Sequence, residues 1–303
     1  MNYITPIILL LFSVNVLAQD FELLKIQTAY YPSQAIEESS VDAEVGFLEW
    51  SGRIALPQVL KDKRTILIHR LGYGNLRVDA DGTFGGTAIE NTKHYHSIFY
   101  SLGLIKIVNL NWRLLISVNP TLASDFSDPL SNNDLLFQGS AIAMNTKNTN
   151  FQYGFGVAYT TRFGRQLVAP AGLLKYSTPK LTLEVLVPTS LSVIFNKKKR
   201  FNYGVAASLN GGLFNNAGES PATSAAIDET GYSRLNIGPT FAFKLNDALK
   251  IDLTGGMAVG RRLEFIDPAE EIFDRAPEPG PFVRLGLSVI PPGKNEDVPS
   301  INL

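Results

Sequence analysis

Apolar residues recur at every second position through much of this chain. In 151–160, Phe151, Tyr153, Phe155, Val157 and Tyr159 share one face, against Gln152, Gly154, Gly156, Ala158 and Thr160. In 201–213, Tyr203, Val205, Ala207, Leu209 and Leu213 oppose Asn202, Gly204, Ser208 and Asn210. The same alternation runs through 249–259 and 283–289, where Leu253 neighbours Asp252 and Leu285 neighbours Arg284. Segments 111–120 and 232–244 follow it less strictly, and Leu115 breaks the pattern. Successive strand side chains point to opposite faces, so this period predicts strands, whereas a helix would repeat at 3.6.

The links between these segments alternate too. Pro57–Lys63, Val108–Asn111, Asn145–Asn150, Ser177–Lys180, Asn196–Arg200 and Leu245–Ala248 are short and mostly polar. Links 32–43, 76–95, 122–133, 211–231 and 260–280 are longer and rich in Gly, Ser, Asn, Asp and Pro, as surface loops are. Keeping the rhythm requires 181–196 to be two strands joined at Pro188–Thr189. Fourteen strands result, beginning near 23, 44, 64, 96, 111, 134, 151, 166, 181, 190, 201, 232, 248 and 281. Read as one bent strand, 181–196 lowers the count to thirteen. The even alternative is then twelve, without 23–31.

Ile4 to Val16 is a nearly continuous apolar run closed by Val16-Leu17-Ala18. It is too short to span a bilayer as a helix and fits a secretory signal peptide, residues 1–18, cut after Ala18. Residues 19–290 then form the barrel and 291–303 a polar C-terminal tail. A net charge of −1 gives no electrostatic basis for binding nucleic acid. Charged residues reach only 18%, below the ~25% of soluble chains, and aromatic residues reach 10%. With no cysteine, neither disulfides nor a thiolate metal site is available.

Past residue 20 no run is long enough for a spanning helix, so a membrane-spanning form of this chain has to be a β-barrel. The fold class expected is all-β: a single antiparallel up-and-down transmembrane barrel. A soluble periplasmic sandwich or barrel would also alternate, but it does not account for the rhythm of short and long links. The Val16-Leu17-Ala18-Gln19 junction, the alternating segments and the stretch from Leu173-Leu174-Lys175-Tyr176-Ser177 to Leu186-Val187-Pro188 resemble uncharacterised Gram-negative outer-membrane β-barrel families of about this length. The resemblance implies location in the cell outer membrane and no specific activity.

Catalytic and metal signals are weak. His94 and His96 share a strand face and could begin a metal site, yet the spacing indicates no third ligand. A Ser–His hydrolase or acyl transferase would need His94 with Ser97 or Ser101, but His94 and Ser97 fall on opposite strand faces. Asp79-Ala80-Asp81-Gly82, with Glu90, imitates a calcium loop, but Phe84 occupies the position that needs glycine, so the stretch reads as a turn. Asp267, Glu270, Glu271 and Asp274 read as a solvated acidic loop. No cofactor is expected and the protein is not expected to be an enzyme.

Charges at inward positions carry more. Arg113, Glu184, Arg234, Lys244, Lys250, Asp252 and Arg284 are expected to line the lumen, because a basic side chain on the lipid face near the midplane costs ~2–4 kcal/mol. They would set ion preference in an open pore or pair with one another in a filled one. The function expected is a passive channel or carrier for small solutes. The alternative is a non-conducting structural or surface-binding barrel working through loops 76–95, 211–231 and 260–280. Expected partners are outer-membrane lipid and lipopolysaccharide, the barrel-insertion machinery and a small solute. The face assignment can be tested: Leu253→Arg should abolish the gel shift of the folded barrel where Asp252→Arg largely keeps it, and equal losses would refute it.

Overall fold

The computed structural model describes residues 21–37, 42–84, 87–195, 200–216, 227–267 and 272–291, without the side chains of 83–91, 272 and 273. The predicted signal peptide, most of the polar tail and part of the acidic loop lie outside the described residues.

Fourteen antiparallel strands close into a barrel with almost no helix. In chain order they are β1 (Leu24–Ala35), β2 (Asp42–Val59), β3 (Thr65–Phe84), β4 (Thr87–Ile107), β5 (Trp112–Ser124), β6 (Leu135–Asn148), β7 (Phe151–Thr160) and β8 (Leu167–Ser177). There follow β9 (Leu181–Val187), β10 (Ser190–Phe195), β11 (Phe201–Asn215), β12 (Glu229–Lys244) and β13 (Leu249–Ile266). A short β14 (Ile272–Arg275) pairs only with the tip of β13, and β15 (Gly280–Val289) completes the wall. Each wall strand pairs with its sequence neighbour, and β15 pairs with β1 from Leu24↔Val289 to Tyr30↔Val283. That seam leaves no edge between first and last strand.

The turns on the side of the two termini, called here the near end, owe their tightness to short polar side chains. Asp62 accepts from the backbone N–H of Arg64 and Thr65, Asn109 from Asn111 and Trp112, and Asn246 from Ala248 and Leu249. Each side chain replaces a ladder bond that the turning backbone cannot make.

The outside is apolar. Leu71, Ile98, Val118, Val157, Val205, Ile237, Leu253 and Leu285 are all exposed on alternate positions. Rings in mutual contact belt the near end, with Trp112, Phe151, Tyr153 and Tyr176 on β5, β7 and β8. Phe195, Phe201, Tyr203 and Phe241 continue the belt on β10 to β12. Tyr30, Trp50, Phe137 and Tyr159 stand exposed toward the other rim, the far end. Phe151 to Tyr159 covers ~26 Å along β7, or roughly 20 Å of height at a 35–45° tilt. A band of that height between aromatic girdles matches a bilayer core and would be an aggregation surface in water.

Two expectations need correction. Residues 76–95 are not a long loop, because β3 and β4 pair as far as Phe84↔Thr87. The imitation calcium loop is part of this ladder, with Asp81 opposite Glu90. Likewise β11 to β13 extend well into 211–231 and 260–280. These strand ends rise beyond the apolar band, where polar residues suit a ladder bathed in water.

The wall is uneven. β9 and β10 have 7 and 6 residues, whereas β3 and β4 have 20 and 21. Pairing of β8 with β9 ends at Gly172↔Val187, and that of β10 with β11 at Ser190↔Ser208. Above this notch β11 leans across the mouth to β5, where Asn215 pairs with Ser124. The β7–β8 loop, 161–166, packs against the upper part of β11 and β12. A Cβ on Gly211 would collide with the Arg162 carbonyl, and one on Gly231 with that of Gly164. Gly211→Leu is therefore expected to lift this loop, speeding tryptic cleavage after Arg162 and Arg165 while the heat-dependent gel shift of the barrel persists. Unchanged cleavage would refute the contact.

Candidate functional site: a cationic cavity between two packed ends

The lumen is filled at both ends and hollow between them. At the near end, Leu23 bonds to both Val289 and Ala55 and so continues β1, which turns Phe21 and Glu22 into the barrel. Phe21 packs on Ile66, Ile68, Ile105, Leu115, Ile142 and Met144, all inward residues of β3 to β6. Leu115, out of pattern in the sequence, is one of these core residues and is 3% exposed. At the far end Tyr31, Val45, Phe47, Leu76, Tyr95 and Phe214 form a second apolar core with Phe282.

Glu22 is the hub of the near-end charges. It meets Arg53 at 2.6 Å, Lys25 and Lys250 at 3.1 Å each, and the Ser288 hydroxyl at 3.0 Å. Asp252 adds contacts at 3.4 Å to Lys250 and 4.0 Å to Lys25. Burial would raise the Glu22 pKa, but Lys25, Lys250 and Arg53 together outweigh it and lower the value from 4.5 to about 2.

Among the charges expected in the lumen, Lys250 and Asp252 belong to this network. Glu184 faces inward and pairs with Lys175 at 2.7 Å. Arg234 is 2% exposed, pairs with Glu49, and lays its guanidinium 3.7 Å from the Tyr31 ring centroid and 4.9 Å from that of Phe47. Arg113, Lys244 and Arg284 occupy inner-face positions between outward residues. Glu22, Lys25, Glu49, Arg53, Arg70 and Arg162 escaped the sequence reading. Arg53 and Arg70 lie at alternate positions facing away from Ile54 and Leu71, which is a legible signal; Arg162, in a loop, carries none.

Between the packed ends lies a cavity of about 420 Å³. Arg53, Arg70 and Arg162 line it with Ser97, Ser101, Ser117, Ser140 and Tyr232, and with Phe99, Leu115, Ile142 and Leu186. Among the described residues no carboxylate lines it. Ser117 and Ser140 hydrogen-bond each other at 2.8 Å across β5 and β6. Phe99 lies over Gly72, where a Cβ would strike the ring.

The serines and histidines of the hydrolase idea are on opposite sides of the wall. Ser97 and Ser101 face the cavity, whereas His94 and His96 lie outside. There the His96 Nδ1 meets the Tyr73 hydroxyl at 2.6 Å and the Asn75 amide at 3.2 Å. The His94 and His96 rings are stacked, with centroids 6.4 Å apart, and no third ligand joins them among the described residues. Asp274 of the acidic loop pairs with Arg262 at 2.8 Å.

Residues 91–290 match the family described as Domain of unknown function (DUF6268). The chain belongs to that family. The match begins inside β4, so β1 to β3, which this DUF6268 barrel needs for closure, lie ahead of it. No curated protein matches the chain. Among solved structures, it is similar to an outer membrane channel from Pseudomonas putida F1, with 12% identity, coverage of 91% and 98% of the two chains, and a TM-score of 0.44. A deltaS2S3 mutant of TodX, a monoaromatic hydrocarbon channel, gives 9% identity, 89% coverage of each chain and 0.45. LpxR from Salmonella typhimurium gives 8%, coverage of 88% and 99%, and 0.34.

The depressed Glu22 pKa fixes the sign of a pH effect. Its contribution is fully present above about 4.5 and is lost as pH falls toward about 2. Unfolding free energies from denaturant titration should therefore place wild type above Glu22→Gln by up to ~3 kcal/mol at neutral pH, with the gap closing between those values. A gap that does not change with pH would refute the network.

Proposed function

We propose that this DUF6268 protein is an outer-membrane barrel that acts as a channel or carrier for small solutes, using the lumen cavity as the place where the solute rests. The cavity carries this reading. A hollow of about 420 Å³ lined by hydroxyls, guanidiniums and apolar side chains has the size and mixed chemistry of a small-molecule site. The exposed apolar band and its aromatic belts support a position in lipid, and the predicted signal peptide supports export. Lipid, lipopolysaccharide at the far rim and the barrel-insertion machinery are the partners this location requires.

The packed ends favour a carrier-like route over a wide pore. Passage would require Phe21 and the Glu22 cluster to move at the near end, and the β11 strap or the β7–β8 loop at the far end. The same packing favours the second reading, a barrel that does not conduct. Fractionation decides the location, since recovery as a soluble protein with no heat-dependent gel shift would overturn the membrane reading. Solute flux into proteoliposomes decides the function. Wild type should show slow, saturable flux, and the Phe21→Ser/Glu22→Gln double variant a severalfold faster one. Absence of flux in both would favour the non-conducting barrel.

A further inference from the structure

Among the described residues, two of the three guanidiniums in the cavity form no ion pair. Arg53 leans on Glu22, which Lys25 and Lys250 share. Glu49 is taken by Arg234. Arg70 and Arg162 make no ion pair or side-chain hydrogen bond among the described residues, although both line the hollow. Arg70 reaches over the inner face of β4, where its Nη1 lies 3.9 Å from the Cβ position of Gly103. Arg162 is delivered from the other side by the β7–β8 loop, which the close approach to Gly211 holds in place. Arg53 is near enough to repel both, and Glu49, already paired with Arg234, also attracts Arg162 without forming an ion pair with it.

Gathering like charges without partners is unfavourable, and a guanidinium fork is shaped for the two oxygens of a carboxylate. The cavity also has an apolar side. Phe99, Leu115, Ile142 and Leu186 would have no role toward an inorganic ion, which prefers to keep water or polar donors around it. Serine hydroxyls between the two regions can donate to an anion as readily as they accept from water.

We propose that the cavity binds a small organic carboxylate, its anionic head held between Arg70 and Arg162 and its hydrocarbon part laid against Phe99, Leu115, Ile142 and Leu186. This rests on the reading of the cavity as the solute site and names the class of solute. Arg53 adds field but is already engaged by Glu22, so it supports the head without being the main contact. A neutral molecule of the same shape would leave both guanidiniums unneutralised, and inorganic phosphate would leave the apolar wall uncovered.

The test is calorimetric titration of the folded, full-length mature protein in detergent micelles with hexanoate, hexanamide and inorganic phosphate. Hexanoate should bind at least tenfold more tightly than the amide or the phosphate. Arg70→Gln and Arg162→Gln should each weaken hexanoate about tenfold, consistent with loss of a charge-assisted contact. Arg77→Gln, on the outer face, should not change it. Arg70→Lys, which keeps the charge but not the fork, should lie between wild type and Arg70→Gln, and it replaces any Gln variant that loses the heat-dependent gel shift. Equal binding of hexanoate and hexanamide, or binding indifferent to Arg70 and Arg162, would overturn the proposal. Phosphate binding as tightly as hexanoate would overturn its organic part. Charge-selective binding without flux in proteoliposomes removes transport and leaves the site, whereas flux without charge discrimination removes the site and leaves transport.

Discussion

A backbone amide shut away from water has only another backbone to bond, and the closed sheet of this protein meets that constraint. Every wall strand has a partner on each side, and the seam between β1 and β15 is what makes the last pairing possible. The seam also lies where the chain enters the lumen. Leu23 is bonded to both neighbouring strands, and ahead of it the chain leaves the ladder and brings an aromatic ring and a carboxylate into the near mouth. The near-end plug sits beside this seam and is stabilised by three cations whose alternative is mutual repulsion around Glu22.

The lumen holds its cations in two ways, one buried and paired and the other open to the cavity. Arg234 is neutralised by Glu49, packed over Tyr31 and braced by Asn236, whose amide donates to the Tyr31 hydroxyl at 2.8 Å. Such an arrangement neutralises the charge, although the Arg234 Nε and the Asn236 Oδ1 find no partner among the described residues, and removing one member of the pair strands the other. Arg70 and Arg162 share the same lumen without that pairing. A guanidinium with a carboxylate beside it and two without one, a few strands apart, differ in what a bound anion could add to them.

Strands with one polar and one apolar face were legible in the sequence, down to the hairpin at Pro188–Thr189 that divides β9 from β10. Less legible was any stretch that breaks the contrast for a physical reason. Ile66-Leu67-Ile68 and Leu114-Leu115-Ile116 are apolar on both faces because the outer apolar band runs on one side and the near-end core on the other. Alternation registers contrast, so it passes over strands that lack it, and with them the fact that the lumen is packed. Asp79, Asp81 and Gly82 erred in the other direction. They look like a turn, yet they sit in a ladder that extends beyond the apolar band. The site itself was mostly hidden because its partners are far apart in the chain; Glu49 and Arg234 are separated by 185 positions. No local pattern announces which distant residue will neutralise a given charge.

The short β9–β10 hairpin has a consequence for the surrounding lipid. At ~3.3 Å per residue, six or seven residues reach only about 20–23 Å along the strand, and less in height once tilted, whereas β3 and β4 extend far past the bilayer core. A bilayer meeting such a wall cannot keep one thickness all round. It must dip beside the hairpin or let the whole cylinder lean, and either response carries polar headgroups down toward the β7–β8 loop. Seated in a membrane as proposed, the protein would therefore impose a local shape on it, with the thinnest place beside the loop that delivers Arg162.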